Sequence, residues 1–199
     1  MSDRFVVISL NAKTVDYVHN WAQNLKLPYQ LQVPSTLTSH DIGESLTFAE
    51  YIVNNYDTLA NYTVFLCDAN LAHWHRPNKF LNIIRTARPQ LMTVVGMSLA
   101  DHNNRYFKYR WDENSPKTET CSIRNTLNAF NVTYDSSRVC EGIGNEFILS
   151  KRAIRSHPRT SYVAWRDTII SSDCSRRAFG YALDRTKSLI WNYYEHRCR

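Results

Sequence analysis

The sequence predicts an α/β fold, a single domain built on a mostly parallel sheet with helices packed on its faces. Three observations carry this. The first 33 residues read strand, helix, strand, an order that needs a crossover and so favours parallel pairing. Tyr62 to Cys67 is an apolar, β-forming run of buried-strand length. No internal repeat, low-complexity tract or domain boundary interrupts the 199 residues, a length that supports one substantial core.

Taken in order, Phe5 to Ser9 is the first strand. Asn11 is placed to cap a helix in which Val15, Val18, Trp21, Ala22 and Leu25 recur at helical spacing, and Pro28 ends it. Tyr29 to Val33 alternates as a second strand and stops at Pro34. After a polar loop punctuated by Gly43, Leu46, Ala49, Ile52, Val53 and Tyr56 mark one apolar helix face. The third strand, Tyr62 to Cys67, is followed by a helix over Asn78 to Thr86 and a fourth strand over Leu91 to Met97. From Ala100 to Ser137 the pattern decays into polar and aromatic loop, with a short helix in Thr120 to Asn131. A Gly-marked turn at Gly142 and Gly144 feeds a strand ending at Ser150. Lys151 to Ile170 reads as a helix pair broken near Pro158. Ala178 to Tyr194 is a long amphipathic helix with Leu183, Thr186, Leu189, Ile190 and Tyr193 on its buried stripe.

Hydrophobic content of 43% fits an ordered globular domain, and only 5 Gly and 6 Pro argue against a linker-rich chain. No apolar run approaches the roughly 18 residues of a membrane span. The N-terminal segment reads as a strand and not as a signal peptide. The five Cys (67, 121, 140, 174 and 198) are odd in number and lack C-x-x-C spacing. The expectation is therefore neither a zinc site nor a disulfide framework, and a reducing, cytoplasmic setting (host cytoplasm for a viral chain). In that setting the Asn61 and Asn131 sequons are idle, and Asn61 is expected to open a buried strand. The net charge is +6, with the excess in the last third at Arg152, Arg155, Arg159, Arg166, Arg176, Arg177, Arg185 and Lys187. Nucleic-acid binding, an anion pocket and a solvated helix face all produce such a bias. Because these cations are scattered among apolar residues, the last two are favoured over nucleic acid.

The tip of the third strand carries the chemistry. Asp68-Ala69-Asn70 sets a carboxylate and an amide one residue apart, followed by His73-Trp74-His75. Few, hard oxygen ligands suit a divalent cation whose shell is completed by phosphate oxygens and water. An Asx-turn closing the strand accounts for the same two residues. His73 and His75 are placed to touch phosphate or acceptor, or to pack with Trp74; a His-x-His pair also suits zinc but lacks further Cys or His partners nearby.

Several blocks, in order, resemble a broad family, largely of unknown function, found in fungi, algae and large viruses. They are Asp41-Ile-Gly-Glu-Ser-Leu-Thr-Phe-Ala-Glu-Tyr-Ile-Val-Asn-Asn-Tyr-Asp57, Thr63-Val-Phe-Leu66 with Trp74-His75, Glu146-Phe-Ile-Leu-Ser-Lys-Arg-Ala-Ile-Arg155 with Tyr162, and Gly180-Tyr-Ala-Leu-Asp-Arg185. Over roughly residues 40 to 190 the chain is similar to the small GT-A-type glycosyltransferase domain of chlorella viruses. The resemblance implies a single GT-A-like, Rossmann-like domain, with a nucleotide-binding half over 1–100 and an acceptor-side half over 101–199. It implies a UDP-sugar donor, a glycan or glycoprotein acceptor, and Mn²⁺ or Mg²⁺ as cofactor. The viral domains carry Asp-Ala-Asp where this chain has Asp68-Ala69-Asn70, and Glu44 stands where the family pattern has Arg.

Under that resemblance Asp68 and Asn70 are the metal ligands, with His196 as a late third. Base and ribose belong over the carboxyl ends of the first strands, which nominates Ser9, Leu10 and Asn11 with Asp41 on the neighbouring loop. Glu141 and Glu146 flank the Gly142 and Gly144 turn and are candidate catalytic carboxylates; Asp101 and His102 compete with them. Arg152 and Arg155 are candidates to screen phosphate charge, with a surface role as the alternative. A catalytically inactive nucleotide- or sugar-binding module and a basic nucleic-acid-binding protein remain as the other readings.

Overall fold

The computed structural model describes residues 3–10, 18, 21–32, 44–67, 77–95, 118–133, 146–174 and 176–191. Among these residues five strands form one open sheet: β1 (Arg4–Ser9), β2 (Tyr29–Gln32), β3 (Tyr62–Cys67), β4 (Met92–Val94) and β5 (Phe147–Ser150), in spatial order β2-β1-β3-β5-β4. The described helices are α1 (Glu44–Asn55), α2 (Pro77–Thr86), α3 (Thr118–Ala129), α4 (Lys151–Arg155), α5 (Arg159–Ser171) and α6 (Arg176–Ile190), with a 3-10 turn over Gln23–Leu25. Together they make a single α/β domain.

A mostly parallel sheet is found on one side only. β1 pairs parallel with β2 and β3, whereas β5 is antiparallel to both β3 and β4. Strand direction was hidden in the sequence because β5 is buried along its whole length. An apolar run of that kind looks the same whichever way it runs.

Alternation along the strands separates two cores. Val7, Phe65, Phe147 and Leu149 face one layer, where they meet Phe48, Ile52, Trp165, Phe179 and Trp191 from α1, α5, the first turn of α6 and the residue after that helix. Val6, Ile8, Val64, Leu66 and Ile148 face the other, against Val18, Ala22, Leu25 and Ile84. Burial on both faces explains why these strands read as continuous apolar runs. Phe147 anchors the first core, with ring centroids 5.3 Å from Phe65, 5.5 Å from Trp191 and 5.7 Å from Phe48. Aromatic clusters of this spacing add to simple area burial.

Helix α1 differs from its expected one-sided pattern. Every residue from Ser45 to Val53 is buried, because the helix lies between the sheet and α5 and α6. Its polar residues tolerate this by finding partners. Ser45 Oγ donates to the Phe179 carbonyl at 2.8 Å, and Ser9 Oγ donates to Thr47 Oγ1 at 3.0 Å. The break at Pro158 is as expected: Ser150 caps α4, accepting from Ala153 N at 3.1 Å, and Pro158 precedes α5.

Two corrections concern charge and sulfur. Several arginines terminate helices. Arg4 is buried and donates to the carbonyls of Ile84 and Ala87, at the end of α2. Arg155 donates to the Tyr56 and Asp57 carbonyls and Arg159 to Val53, all at the end of α1. Cations suit helix C-termini, where carbonyls lack intrahelical partners. The expectation of no disulfide also fails: Cys121 in α3 is bonded to Cys174, between α5 and α6. A pair 53 residues apart has no local spacing signature. Cys67 is buried and takes no part in this disulfide. Among the described residues, no helix is long and apolar enough to cross a membrane.

Two buried tyrosines give the fold an alkaline limit. Burial pushes the Tyr51 phenol up to about 12, and it pushes Tyr162 up as well. Tyr162 donates to the Ile154 carbonyl at 2.9 Å and accepts from Trp191 Nε1 at 3.1 Å. Above pH ~10 the unfolded chain loses these protons while the folded one keeps them, so stability falls as pH rises. We expect a denaturant midpoint that is level in this respect below pH ~10 and then falls, each tyrosine adding up to ~1.4 kcal/mol per pH unit. Urea titrations at pH 9, 10 and 11, with Tyr51→Phe as control, measure it; equal slopes in variant and parent would exclude Tyr51 as a cause.

Candidate functional site

The connectivity of the parallel strands selects one end of the sheet. After β1 the chain moves to β2 on one side, and β3 then lies on the other side of β1. Ligands of open α/β sheets bind outside the carboxyl ends of the strands at such a switch point. Here β1 and β3 finish side by side, with Ser9 paired to Cys67. The next residue in the chain after Cys67 is Asp68.

Of the expected nucleotide residues, Ser9 and Leu10 lie at this end. Ser9 is buried and its hydroxyl is held by Thr47. Leu10 N donates to the Gln32 carbonyl at 3.0 Å, extending the ladder past the end of β1. Glu146 also belongs here. It is fully buried, its carbonyl accepts from Val95 N at 2.7 Å, and the following Phe147 pairs with Phe65. Because β5 is reversed, its first residues stand beside the last residues of β3. The fold therefore brings Ser9, Leu10 and Glu146 to the end of the sheet from which Asp68 continues.

Arg152 is not brought there. Ser150 pairs with Tyr62, and Lys151 N donates to the Asn61 carbonyl at 2.8 Å, at the start of β3. Five residue steps of about 3.3 Å put that end roughly 17 Å from Cys67. Arg152 is exposed and so cannot screen a phosphate at the opposite rim; Arg155, which closes α1, is likewise engaged elsewhere. Asn11, Asp41, Asp68, Asn70, His73, His75, Asp101, His102, Glu141 and His196 lie outside the described residues.

Sequence reasoning missed the polar wall that α1 contributes. Beyond Thr47, Glu50 is buried and its Oε2 accepts from Gln32 Nε2 at 3.3 Å, at the carboxyl end of β2. Gln32 Oε1 is buried with no hydrogen-bond partner among the described residues, an acceptor at the same rim. At the first turn of α1, the Glu44 carboxylate meets α6: a Cβ on Gly180 would stand 3.2 Å from Glu44 Oε2. Two blocks of the resemblance, far apart in sequence, thus touch. In the sequence Thr47 and Glu50 look like a solvent face, so only their burial reveals them.

Among the described residues, no group of three or more His, Cys, Asp or Glu is arranged to hold a metal ion. The expected ligands Asp68, Asn70 and His196 all fall elsewhere. By donor chemistry alone, an Asp and Asn oxygen pair fits a hard divalent cation.

These features define an open α/β protein with a candidate site at the switch point between β1 and β3, walled by the first half of α1 and by the head of β5. The chain belongs to the family described as Protein of unknown function (DUF3431), whose model matches residues 5–199. No curated protein and no solved structure matches it.

Proposed function

We propose that the chain is a glycosyltransferase of GT-A-like, Rossmann-like build, moving a sugar from a UDP-sugar to a glycan or glycoprotein acceptor with Mn²⁺ or Mg²⁺ bound. The observation that carries the reading is the Ser9–Cys67 pairing at the switch point, directly before Asp68-Ala69-Asn70. A strand tip at this position is where an open α/β sheet receives a phosphorylated ligand. Asp68 and Asn70, with His196, would hold the cation, which supplies positive charge against the leaving diphosphate.

The remaining roles fall to groups of the chain itself. Ser9 and Leu10 border the nucleotide, and the acceptor lies on the side formed by residues 101–199. Glu146 is the candidate base for the acceptor hydroxyl, since it is a buried carboxylate beside the strand tip. Glu146→Gln keeps the side-chain volume and is expected to cut turnover about 10²-fold, the low end of general-base effects, without weakening nucleotide binding. Steady-state rates beside UDP affinity decide this; unchanged turnover removes Glu146 from the mechanism.

Calorimetric titration of UDP, with and without Mn²⁺, tests the proposal itself. Manganese-dependent binding followed by turnover of a UDP-sugar supports it, and absence of binding in every condition overturns it. Binding without turnover of any donor would favour the second reading, an inactive nucleotide-binding module. Asn70 in place of a second acid speaks for that reading, since an amide brings no charge to the site.

A further inference from the structure

We propose that Asn131 is an acceptor for an N-linked glycan and that this chain is made in an oxidising, lumenal compartment. The inference is independent of the transferase reading and rests on two separate observations. The first is the presentation of Asn131-Val132-Thr133 just past the end of α3. Asn131 and Thr133 are both exposed, while Val132 between them turns inward against Leu127. The backbone is held in that form: Asn131 N donates to the Asn128 carbonyl at 3.0 Å and Val132 N to the Leu127 carbonyl at 3.0 Å. The acceptor amide and the hydroxyl two residues on therefore face solvent together, as an N-x-Thr acceptor on a surface turn requires.

The second observation is the Cys121–Cys174 disulfide, which begins on the same helix. Disulfides persist in secreted and lumenal proteins and are rare in a reducing cytosol. The cytoplasmic expectation rested on an N-terminal segment read as a strand and on cysteines without partners, and the disulfide removes the second of these supports.

The φ of 52° at Asn131 is a left-handed conformation that Asn adopts more readily than most residues. That accounts for Asn131 as a turn former but leaves the exposed Thr133 and the disulfide unaddressed. The other sequon is built differently. Asn61 is exposed at the head of the buried strand it was expected to open, and its Thr63 is fully buried within β3. Asn131 is thus the sequon that the folded chain displays whole.

In the modification, Asn131 Nδ2 forms a bond to C1 of an oligosaccharide carried on a polyisoprenyl diphosphate. The C1–O bond to the diphosphate breaks, the lipid diphosphate leaves, and the amide gives one proton to a base. The test is peptide mass spectrometry on the native chain, purified without reductant from the cells that make it, before and after an amide-cleaving glycosidase. We expect glycan on the Asn131 peptide, conversion of Asn131 to Asp on digestion, and Cys121 and Cys174 protected from alkylation. Translation of the full chain behind an added cleavable export signal, into microsomal vesicles, supplies the variants. There Thr133→Ala and Asn131→Gly should each remove the same glycan, the glycine variant while keeping the left-handed turn. An unmodified Asn131, alkylated Cys121 and Cys174, or a glycan at Asn131 that survives Thr133→Ala overturns the proposal.

Discussion

Asp68→Ala is expected to abolish manganese-dependent UDP binding and to reduce sugar transfer by at least ~10²–10³-fold, the range seen when one group facing developing charge is removed. The reasoning begins with position. Cys67 ends β3 at the switch point, and Asp68 is the first residue beyond it. Asn70 brings no formal charge, so Asp68 supplies the whole negative charge of the Asp-Ala-Asn tip. The fold should be indifferent to the change, because a carboxylate following the end of a strand contributes little to an apolar core. Titration calorimetry and thermal unfolding, run on the same preparations, separate the two effects. Wild-type turnover in the variant would sink the assignment of the strand tip, and a fall in melting temperature would expose a structural role instead.

The second large effect is on stability. Cys121 and Cys174 are 53 residues apart, and the loop between them holds β5, α4 and α5. Chain-entropy bookkeeping for a loop of that size gives about 4 kcal/mol. For a chain of this length each kcal/mol corresponds to ~2–4 °C, so the paired Cys121→Ser, Cys174→Ser variant should melt roughly 8–16 °C lower. Urea unfolding of the oxidised chain, the reduced chain and the double variant checks this, and the last two should coincide. A loss below about 1 kcal/mol would mean that the contacts of α3 with α6, through Ile123, Leu127 and Ala182, already hold this corner in the unlinked chain.

Strand and helix existence was legible in the sequence for a plain reason. β1 and β3 are central strands, with both faces buried, so their apolar runs stand out from the polar loops on either side. Pro158 and Ser150 marked boundaries by local chemistry that needs no tertiary context. What escaped depended on partners remote in sequence. The reversal of β5 is set by what it pairs with, the burial of α1 by α5 and α6, and the disulfide by the packing of α3. The candidate site divides in the same way. Ser9 and Leu10 were nominated because they end a strand, and Glu146 because it flanks the turn at Gly142 and Gly144. Thr47, Glu50 and the Glu44–Gly180 contact became visible only once α1 was seen to be enclosed. Arg152 was nominated for its charge, and charge alone does not say which end of a sheet a residue occupies.

The position of β5 also governs when this domain can come into being during synthesis. In the sheet β5 fills the gap between β3 and β4, yet it is the last of the five strands to be made. Until residue 150 has left the ribosome, β3 lacks its neighbour on one side and β4 lacks its partner among the described strands. The first hundred residues therefore leave the ribosome with an unpaired sheet edge of the kind that invites wrong association. Residues 1–100 and residues 101–199 share one sheet, completed by a strand from the second stretch. A gene cut between them would leave β3 and β4 without β5 in the first fragment, and β5 without either partner in the second.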